Sequence, residues 1–185
     1  MGKTIRFAML VGCLAAAAVG KAAGAADGWR LFHSEAGGFQ VETPGEPAFS
    51  ESVDKTFVGS VTNHLFTVAL PFEEFTVEYS DLPGLALALA GPATILKEAK
   101  EALLKDVRGD ELTFRLLRKK GDDRAELSYV GHVDENPGVM GFARFYLRGG
   151  RIYVLHAMLS GGRPIDPERV SRFLRSFLIE GSKGD

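Results

Sequence analysis

The sequence predicts an α+β fold in which an antiparallel β-sheet is covered by helices on both faces, as in an α/β/α sandwich. Gly149-Gly150 predicts a tight hairpin in which Arg148 faces Arg151. In that register both faces of the hairpin are largely apolar, whereas a sheet with one face in water alternates apolar and polar residues. The helical segments carry apolar stripes that need a surface to bury them. Helices are therefore the expected cover for each face of the sheet.

Three strands are expected before the first long helix. They are rich in β-branched and aromatic residues and span 39–43, 61–70 and 75–79. Pro71 separates the last two, and the Asp81-Leu82-Pro83-Gly84 segment ends the third strand.

The first long helix is expected from Thr94, its predicted N-cap, to a stop at Gly109. Its apolar face has helical spacing and consists of Leu96, Ala99, Leu103 and Val107. Residues 85–90 are expected to form a separate helical turn, because Gly91-Pro92 follows them.

Four strands and a closing helix complete the chain. The strands are expected at 112–118, 125–132, 139–148 and 152–160. Asp166 is the predicted N-cap of the helix, and Pro167 suits its first turn. Its apolar stripe is Val170, Phe173, Leu174 and Phe177.

Composition places the chain among ordinary globular proteins. It has 185 residues, of which 45% are hydrophobic and 25% charged, with a formal net charge of −2. These values exclude a disordered or collagen-like chain and a multi-span membrane protein, and they argue against a nucleic-acid partner. Without an internal repeat or linker, residues 27–180 are expected to form a single domain and residues 181–185 a flexible tail.

Residues 1–26 have the pattern of a secretory signal peptide. Lys3 and Arg6 precede an apolar run of residues 7–19, which is shorter than the roughly 20 residues of a membrane-spanning helix. Small residues then allow cleavage before Ala26 or before Asp27. Cleavage removes three basic and no acidic residues, so the formal net charge falls from −2 to −5. The protein is therefore expected to be periplasmic or secreted, and to meet the membrane only during export.

Cys13 lies in a segment, Leu10-Val11-Gly12-Cys13, that resembles a bacterial lipidation site. A lipid anchor there is disfavoured, because the sequence stays apolar through Val19. If Cys13 leaves with the signal peptide, the mature chain has no thiol for catalysis, metal binding or disulfide exchange.

Several short motifs resemble those of a known superfamily. They are Trp29-x-x-Phe32, residues 38–41 with Pro44, residues 75–83, residues 144–155 and residues 173–177. Their order is similar to that of exported bacterial proteins of the PsbP-like superfamily, the Mog-type α/β/α sandwich group. The resemblance implies this fold and a mostly non-enzymatic accessory, assembly or binding role. It implies no catalytic or ligand-binding residue, because the motif positions are typical of strand and helix packing.

The histidines do not predict a metal site. His33, His64, His132 and His156 include no pair at close ligand spacing. Two pairings of the 125–132 and 139–148 strands are open, with Tyr129 opposite Ala143 or opposite Phe142. Neither pairing lets one zinc ion bind both His132 and His156. His156 is instead expected to be a hydrogen-bonded core histidine. His132-x-Asp134-Glu135 could bind a cation weakly, although a solvated hairpin loop is favoured.

Other catalytic and binding patterns are also absent from the sequence. There is no Gly-x-Ser-x-Gly segment and no phosphate-binding glycine motif. Arg118-Lys119-Lys120 is followed by Asp122-Asp123, which is typical of an exposed turn. Glu73 and Glu74 are expected to point to opposite faces of a strand, and Trp29 is expected to pack against the sheet rather than line a groove.

The sequence therefore favours a non-catalytic exported accessory or binding domain with a protein partner in the cell envelope. No catalytic, cofactor or metal site is predicted. The alternatives are a small-ligand carrier and a hydrolase-type enzyme with a pocket between sheet and helix. An exposed apolar patch would favour the protein partner.

Overall fold

The computed structural model describes residues 28–56, 59–119, 122–133, 136–160 and 166–181. The proposed signal peptide, Cys13 and the tail beyond residue 181 lie outside this range. In the described part there are ten strands, β1 Arg30–Ser34, β2 Phe39–Thr43, β3 Ala48–Thr56, β4 Gly59–Ala69, β5 Glu73–Asp81, β6 Asp110–Lys119, β7 Asp122–Val133, β8 Asn136–Arg148, β9 Arg151–Leu159 and β10 Leu178–Ile179. The helices are α1 Gly84–Leu89, α2 Pro92–Asp106 and α3 Pro167–Ser176.

Seven strands form the main antiparallel sheet, in the order β3-β4-β5-β9-β8-β7-β6. Arg148 faces Arg151 in the β8–β9 hairpin, which confirms the predicted register. Both pairings left open for β7 and β8 were wrong, because Tyr129 faces Gly141. Gly141 leaves the space that the Tyr129 ring occupies, since a Cβ there would lie 2.1 Å from the ring. A larger residue opposite Tyr129 would not fit.

Helix α2 covers one end of one sheet face. Its residues Leu96, Ala99 and Leu103 belong to a buried cluster with Leu127 and Phe145 of the sheet. The helix begins at Pro92 with Gly91 as its N-cap, so the predicted N-cap at Thr94 was wrong by three residues. Proline is favoured there because the first turn of a helix does not need its missing N–H. The separate helical turn predicted before Gly91-Pro92 is present as α1.

A second buried cluster contains α3 and strand β2. Phe173 and Leu174 of α3 and Phe39 of β2 pack there with Val77 and Leu155 of the main sheet. Successive β9 residues alternate between the clusters, with Ile152 and Val154 in the first, and Tyr153 and Leu155 in the second. The clusters therefore lie on opposite faces of the sheet. Asp166 caps α3 as predicted, since its side chain accepts hydrogen bonds from the amides of Glu168 and Arg169.

A second sheet of three strands, β1-β2-β10, was not expected from the sequence beyond its middle strand. It contributes Phe39 and Val41, which are fully buried, to the second cluster. Strand β3, which was also not predicted, forms an edge of the main sheet. The predicted α+β class with largely antiparallel sheets is confirmed. Among the described helices, none is both long and apolar enough to cross a membrane.

Candidate functional site

An exposed aromatic surface lies at the β3 edge of the main sheet. We define this aromatic edge surface as Phe32, Phe49, Val53, His64 and Phe66. Phe49 and Val53 are 58% and 57% exposed, although both are large apolar residues. They lie on one face of β3, because residues two apart on a strand share a face. The Phe49 ring lies opposite Phe66 of β4, with the ring centroids 5.2 Å apart.

The aromatic edge surface is anchored to the core through stacked rings. Phe66 lies 5.0 Å from Phe32 and 5.8 Å from the buried Phe39, measured between centroids. His64 stacks on Tyr79 at 4.5 Å and on Phe49 at 6.2 Å. These contacts hold the surface rings in fixed positions, so a partner would meet a preformed apolar face.

Arg151 ties the small sheet to this end of the main sheet. Its guanidinium donates two hydrogen bonds to Asp81, at 2.7 and 2.8 Å, and two more to the carbonyl oxygens of Ala36 and Gly37 in the β1–β2 turn. It also lies 4.6 Å from the centroid of Tyr79. The hydrogen bonds and charge of Arg151 lower the pKa of Asp81. We call these contacts of Arg151 the Arg151 clamp. The clamp holds β1, and with it Phe32, over β4.

A second candidate site is acidic and lies on the opposite face, beside α2. We define this acidic strip as Asp54, Glu74, Glu78 and Asp106. Glu74 and Glu78 share the face of β5 that also carries Thr76, and their partners on β9 are Met158 and Val154. Val154 belongs to the cluster under α2, which places the two glutamates on the α2 side. Asp54 on β3 and Asp106 on α2 both act electrostatically on Glu78.

Glu78 is the most buried carboxyl group of the acidic strip, with 7% of its surface exposed. Burial, with smaller contributions from the negative charges of Asp54 and Asp106, raises its pKa to about 7. Burial also raises the pKa of Glu74 and of Asp106. Among the described side chains, no cation forms an ion pair with any of these four groups. The strip is therefore a desolvated region that favours protons or an added cation.

A buried histidine lies next to the acidic strip. His156 on β9 faces Thr76 of β5, and its Nε2 atom lies 2.6 Å from the hydroxyl of Tyr129. Burial lowers the pKa of His156 to about 4 and raises the pKa of Tyr129. Both groups are consequently neutral near pH 7. The expected hydrogen-bonded core histidine is thus found in the structure.

The structure separates the other histidines. His33 is exposed and contacts Glu180, His64 belongs to the aromatic edge surface, and His132 is exposed. In the described part of the chain, no three His, Cys, Asp or Glu residues lie close enough to share a metal ion. Asp134 and Glu135, considered above as weak cation ligands with His132, fall outside the described residues, as do Lys120 and Gly121.

Other residues singled out in the sequence have structural partners. Glu73 binds Arg169 at 2.8 Å on the α3 side, whereas Glu74 faces α2, so the predicted separation of these two carboxylates is confirmed. Trp29 packs edge-on against Phe75 at 5.9 Å, and Arg172 lies 4.7 Å from its ring centroid. These contacts confirm the expectation that Trp29 packs on the sheet.

Neither candidate site was predicted from the sequence. The signal for the acidic strip was the alternation of Glu74, Thr76 and Glu78 with Phe75 and Val77, which is typical of a strand with one wet face. Only the sheet order shows that β5 is an inner strand whose polar face is mostly buried. For the aromatic edge surface, the only indication in the sequence was the pair of apolar residues Phe49 and Val53. They are four residues apart, in a segment where no strand was predicted.

Comparison with known proteins supports the fold. No family model matches the sequence, and no curated protein matches it. The solution structure of cyanobacterial PsbP (CyanoP) from Synechocystis sp. PCC 6803 aligns with 89% of this chain and 98% of that chain, with a TM-score of 0.54 and 13% identity. The chain has the PsbP-like fold. At this identity, the shared PsbP-like fold carries no residue role from one protein to the other.

A second solved structure aligns less well with this chain. It is the Pseudomonas aeruginosa protein of unknown function PA94, which aligns with 77% of this chain and 86% of its own length. Its TM-score is 0.40 and its sequence identity 14%, so it adds nothing to the fold assignment.

Proposed function

We propose that this protein is a non-catalytic, exported accessory or binding domain that docks a protein partner through the aromatic edge surface. One observation carries the proposal, namely that Phe49 and Val53 remain more than half exposed on an edge strand. Exposed apolar side chains next to an open sheet edge are typical of an interaction site. The N-terminal signal pattern supports export to the periplasm or beyond the cell.

The partner that fits this surface is an extended segment of an envelope protein. In the described part of the chain, β3 pairs only with β4, so its outer edge offers backbone groups to an added strand. Phe49, Glu51 and Val53 share one face of β3, in the order apolar, acidic, apolar. A complementary strand would therefore carry an apolar, a basic and an apolar residue at alternating positions.

The arrangement of helices and sheet also supports docking at the β3 edge. We propose that the PsbP-like fold forms a sandwich with α2 and α3 on opposite faces of the main sheet, as their buried clusters indicate. The two helices pack on the sheet at β8 and β9. The edge strand β3 lies at the open end of the sheet.

Affinity capture from the native envelope fraction, with native mass spectrometry, tests the proposal. The variant is Phe49→Ser, and the matched control is Leu112→Ser, because Leu112 is 53% exposed on the opposite edge strand, β6. We expect one stoichiometric protein partner with the wild type and with Leu112→Ser, and at least a tenfold loss with Phe49→Ser. A photoreactive residue at position 49 should crosslink to that same partner.

Two outcomes would contradict the proposal. Equal capture by both variants would show that the aromatic edge surface is not the docking site. A small molecule that co-purifies without a protein partner would favour the ligand-carrier alternative.

A further inference from the structure

The edge strand β3 carries an acidic and a basic side chain on the face that also holds Phe49 and Val53. Glu51 and Lys55 lie on either side of Val53, and all three share one face because residues two apart on a strand do so. In the described part of the chain, β3 pairs only with β4, so its outer backbone groups can pair with a further strand. The order acidic, apolar, basic is complementary to itself in an antiparallel pair, since the acid of one strand meets the base of the other.

Both charges are accessible to another chain. Lys55 is exposed, and among the described side chains it forms no ion pair. Glu51 lies 3.2 Å from Nδ1 of His64, and half of its side chain remains exposed. Val53 between them is also more than half exposed. A second strand that reached this edge would therefore meet all three side chains.

Symmetry restricts how two copies of β3 can pair. About a two-fold axis perpendicular to the sheet, one residue faces its own copy, and residues at equal distances on either side of it face each other. An axis at Glu51 or at Asp54 would place like charges directly opposite each other, which is destabilising. An axis at Ser52 would place Glu51 opposite Val53. Glu51 faces Lys55 of the other copy only where the axis lies midway between them, at Val53.

We propose that β3 pairs antiparallel with β3 of a second copy of this chain, about a two-fold axis at Val53. In this pairing the two Val53 side chains face each other, and Glu51 of each copy faces Lys55 of the other. One face of the interface therefore has an apolar contact between two ion pairs, all of them between directly opposite residues. The pairing joins two seven-stranded sheets into one, and it closes after two copies because both contribute the same edge.

The dimer and the proposed envelope partner would use the same edge of β3. Each would therefore exclude the other, and the dimer would cover Val53 of the aromatic edge surface until a partner displaces it. The dimer does not rest on the proposed function, because it needs no molecule other than a second copy of the chain.

Sedimentation equilibrium of the purified protein, from micromolar to millimolar concentration, tests the dimer. Lys55→Glu should weaken dimerisation at least tenfold, because Glu51 of the other copy would then face a carboxylate. Glu51→Lys should weaken it as much, because Lys55 would then face an ammonium group. Lys97→Glu is the matched control, since Lys97 is exposed on α2, and it should dimerise like the wild type.

A mixture of the two charge variants separates ion pairing from a loss of folding. In a heterodimer of Lys55→Glu with Glu51→Lys, each of these positions faces the opposite charge on the other chain. We therefore expect the equimolar mixture to dimerise at least tenfold more tightly than either variant alone.

Cysteine crosslinking tests the register. Directly opposite residues of an antiparallel pair have Cα atoms about 4.5 or 5.5 Å apart, which a disulfide can span. Val53→Cys should therefore form a disulfide between two copies under mild oxidation. Ser50→Cys is the control, because the two copies of residue 50 would lie six residues apart along the strands, or about 20 Å. Both variants also carry Cys13→Ser, so the introduced thiol is the only one in the chain.

The outcomes distinguish the dimer from the proposed function. Lys55→Glu should still capture the envelope partner, because the partner strand is matched to Phe49, Glu51 and Val53. A wild type that stays monomeric at millimolar concentration overturns the dimer alone, and a dimer that captures no partner contradicts the proposed function alone. The inference is also overturned if Lys55→Glu dimerises like Lys97→Glu, if the mixture dimerises no better than its components, or if Ser50→Cys crosslinks as fast as Val53→Cys.

Discussion

Tyr129 and His156 meet across Gly141, with the tyrosine hydroxyl 2.6 Å from Nε2 of the histidine. The three residues lie on adjacent strands, since Tyr129 faces Gly141 and His156 faces Ala143 on the same strand, β8. The tyrosine ring crosses the space above Gly141 to reach His156, whose partner on β8, Ala143, lies two residues beyond Gly141. A glycine thus permits a polar contact inside an apolar layer, and it fixes the β7–β8 register.

Gly141→Ala should destabilise the protein by about 3 kcal/mol, because the new methyl group would overlap the Tyr129 ring. Its Cβ would lie 2.1 Å from ring carbons that are themselves fully buried. Urea denaturation measures the change. Gly84→Ala is the control, since a Cβ there meets nothing within 4 Å, and it should leave the free energy of unfolding almost unchanged. Equal stability of the two variants would contradict the packing argument.

Arg151→Lys should loosen the β1–β2 turn and lower the free energy of unfolding by about 1 kcal/mol, since an ammonium group cannot reproduce the guanidinium's paired hydrogen bonds. Those bonds reach Asp81 and the carbonyl oxygens of Ala36 and Gly37. Hydrogen exchange of residues 34–39 measures the loosening, with Arg148→Lys on the facing strand as the control. Unchanged exchange in Arg151→Lys would show that the clamp does not hold the turn.

The sequence was informative where a local pattern decides the structure. Gly149-Gly150 set the last hairpin, and Asp166-Pro167 set the start of α3, because turns and caps depend on neighbouring residues. Both registers left open for β7 and β8 were wrong, because the pairing depends on the fit of Tyr129 over Gly141, which is a contact between strands. Strands β1 and β10 were missed because Arg30–Ser34 and Leu178–Ile179 are short and become strands by pairing with β2.

The candidate sites were harder to predict for a similar reason. Glu78 and Asp106 are 28 residues apart in the chain, and nothing local indicates that α2 brings them to one side of β5. The exposure of Phe49 likewise depends on where β3 lies in the sheet. A sequence pattern shows which face a residue occupies, whereas the strand order decides what covers that face.

Glu78→Gln should stabilise the protein at alkaline pH. The pKa of Glu78 is raised from 4.5 to about 7 on folding, so the folded state holds an extra proton between these values, and stability falls as the pH rises through this window. Glutamine has no proton to lose, so the variant should be about 2 kcal/mol more stable than the wild type at pH 8, at 1.36 kcal/mol per pKa unit and with allowance for partial hydration. The two should be similar at pH 4.5.

Urea titrations at pH 4.5, 6 and 8 measure this difference, and Glu35→Gln is the control because that carboxylate is exposed. A Glu78→Gln variant that is no more stable than the wild type at pH 8 would show that the Glu78 carboxylate is already compensated in the folded protein.

His156 should make stability depend on pH in the opposite sense. In the wild type the contribution of Glu78 partly cancels this dependence. Its pKa falls from 6.5 to about 4 on folding, so the unfolded state binds the extra proton in this window, and stability is lost as the pH falls from 6.5 towards 4. Between pH 4.5 and 6.5 the contributions of Glu78 and His156 have opposite signs and largely cancel. Glu78→Gln should therefore uncover a decline in stability of roughly 2 kcal/mol between pH 6.5 and 4.5, since each pKa unit is worth 1.36 kcal/mol.

The double variant Glu78→Gln with His156→Gln isolates the histidine. Burial also raises the pKa of Glu74 and of Asp106, but both groups are common to the two variants, so their contributions cancel in the comparison. The double variant should lose the decline that Glu78→Gln alone shows below pH 6.5, although it should be less stable at every pH because the Tyr129 hydroxyl loses its preferred partner. Parallel stability curves for the two variants would mean that His156 is not the group that titrates.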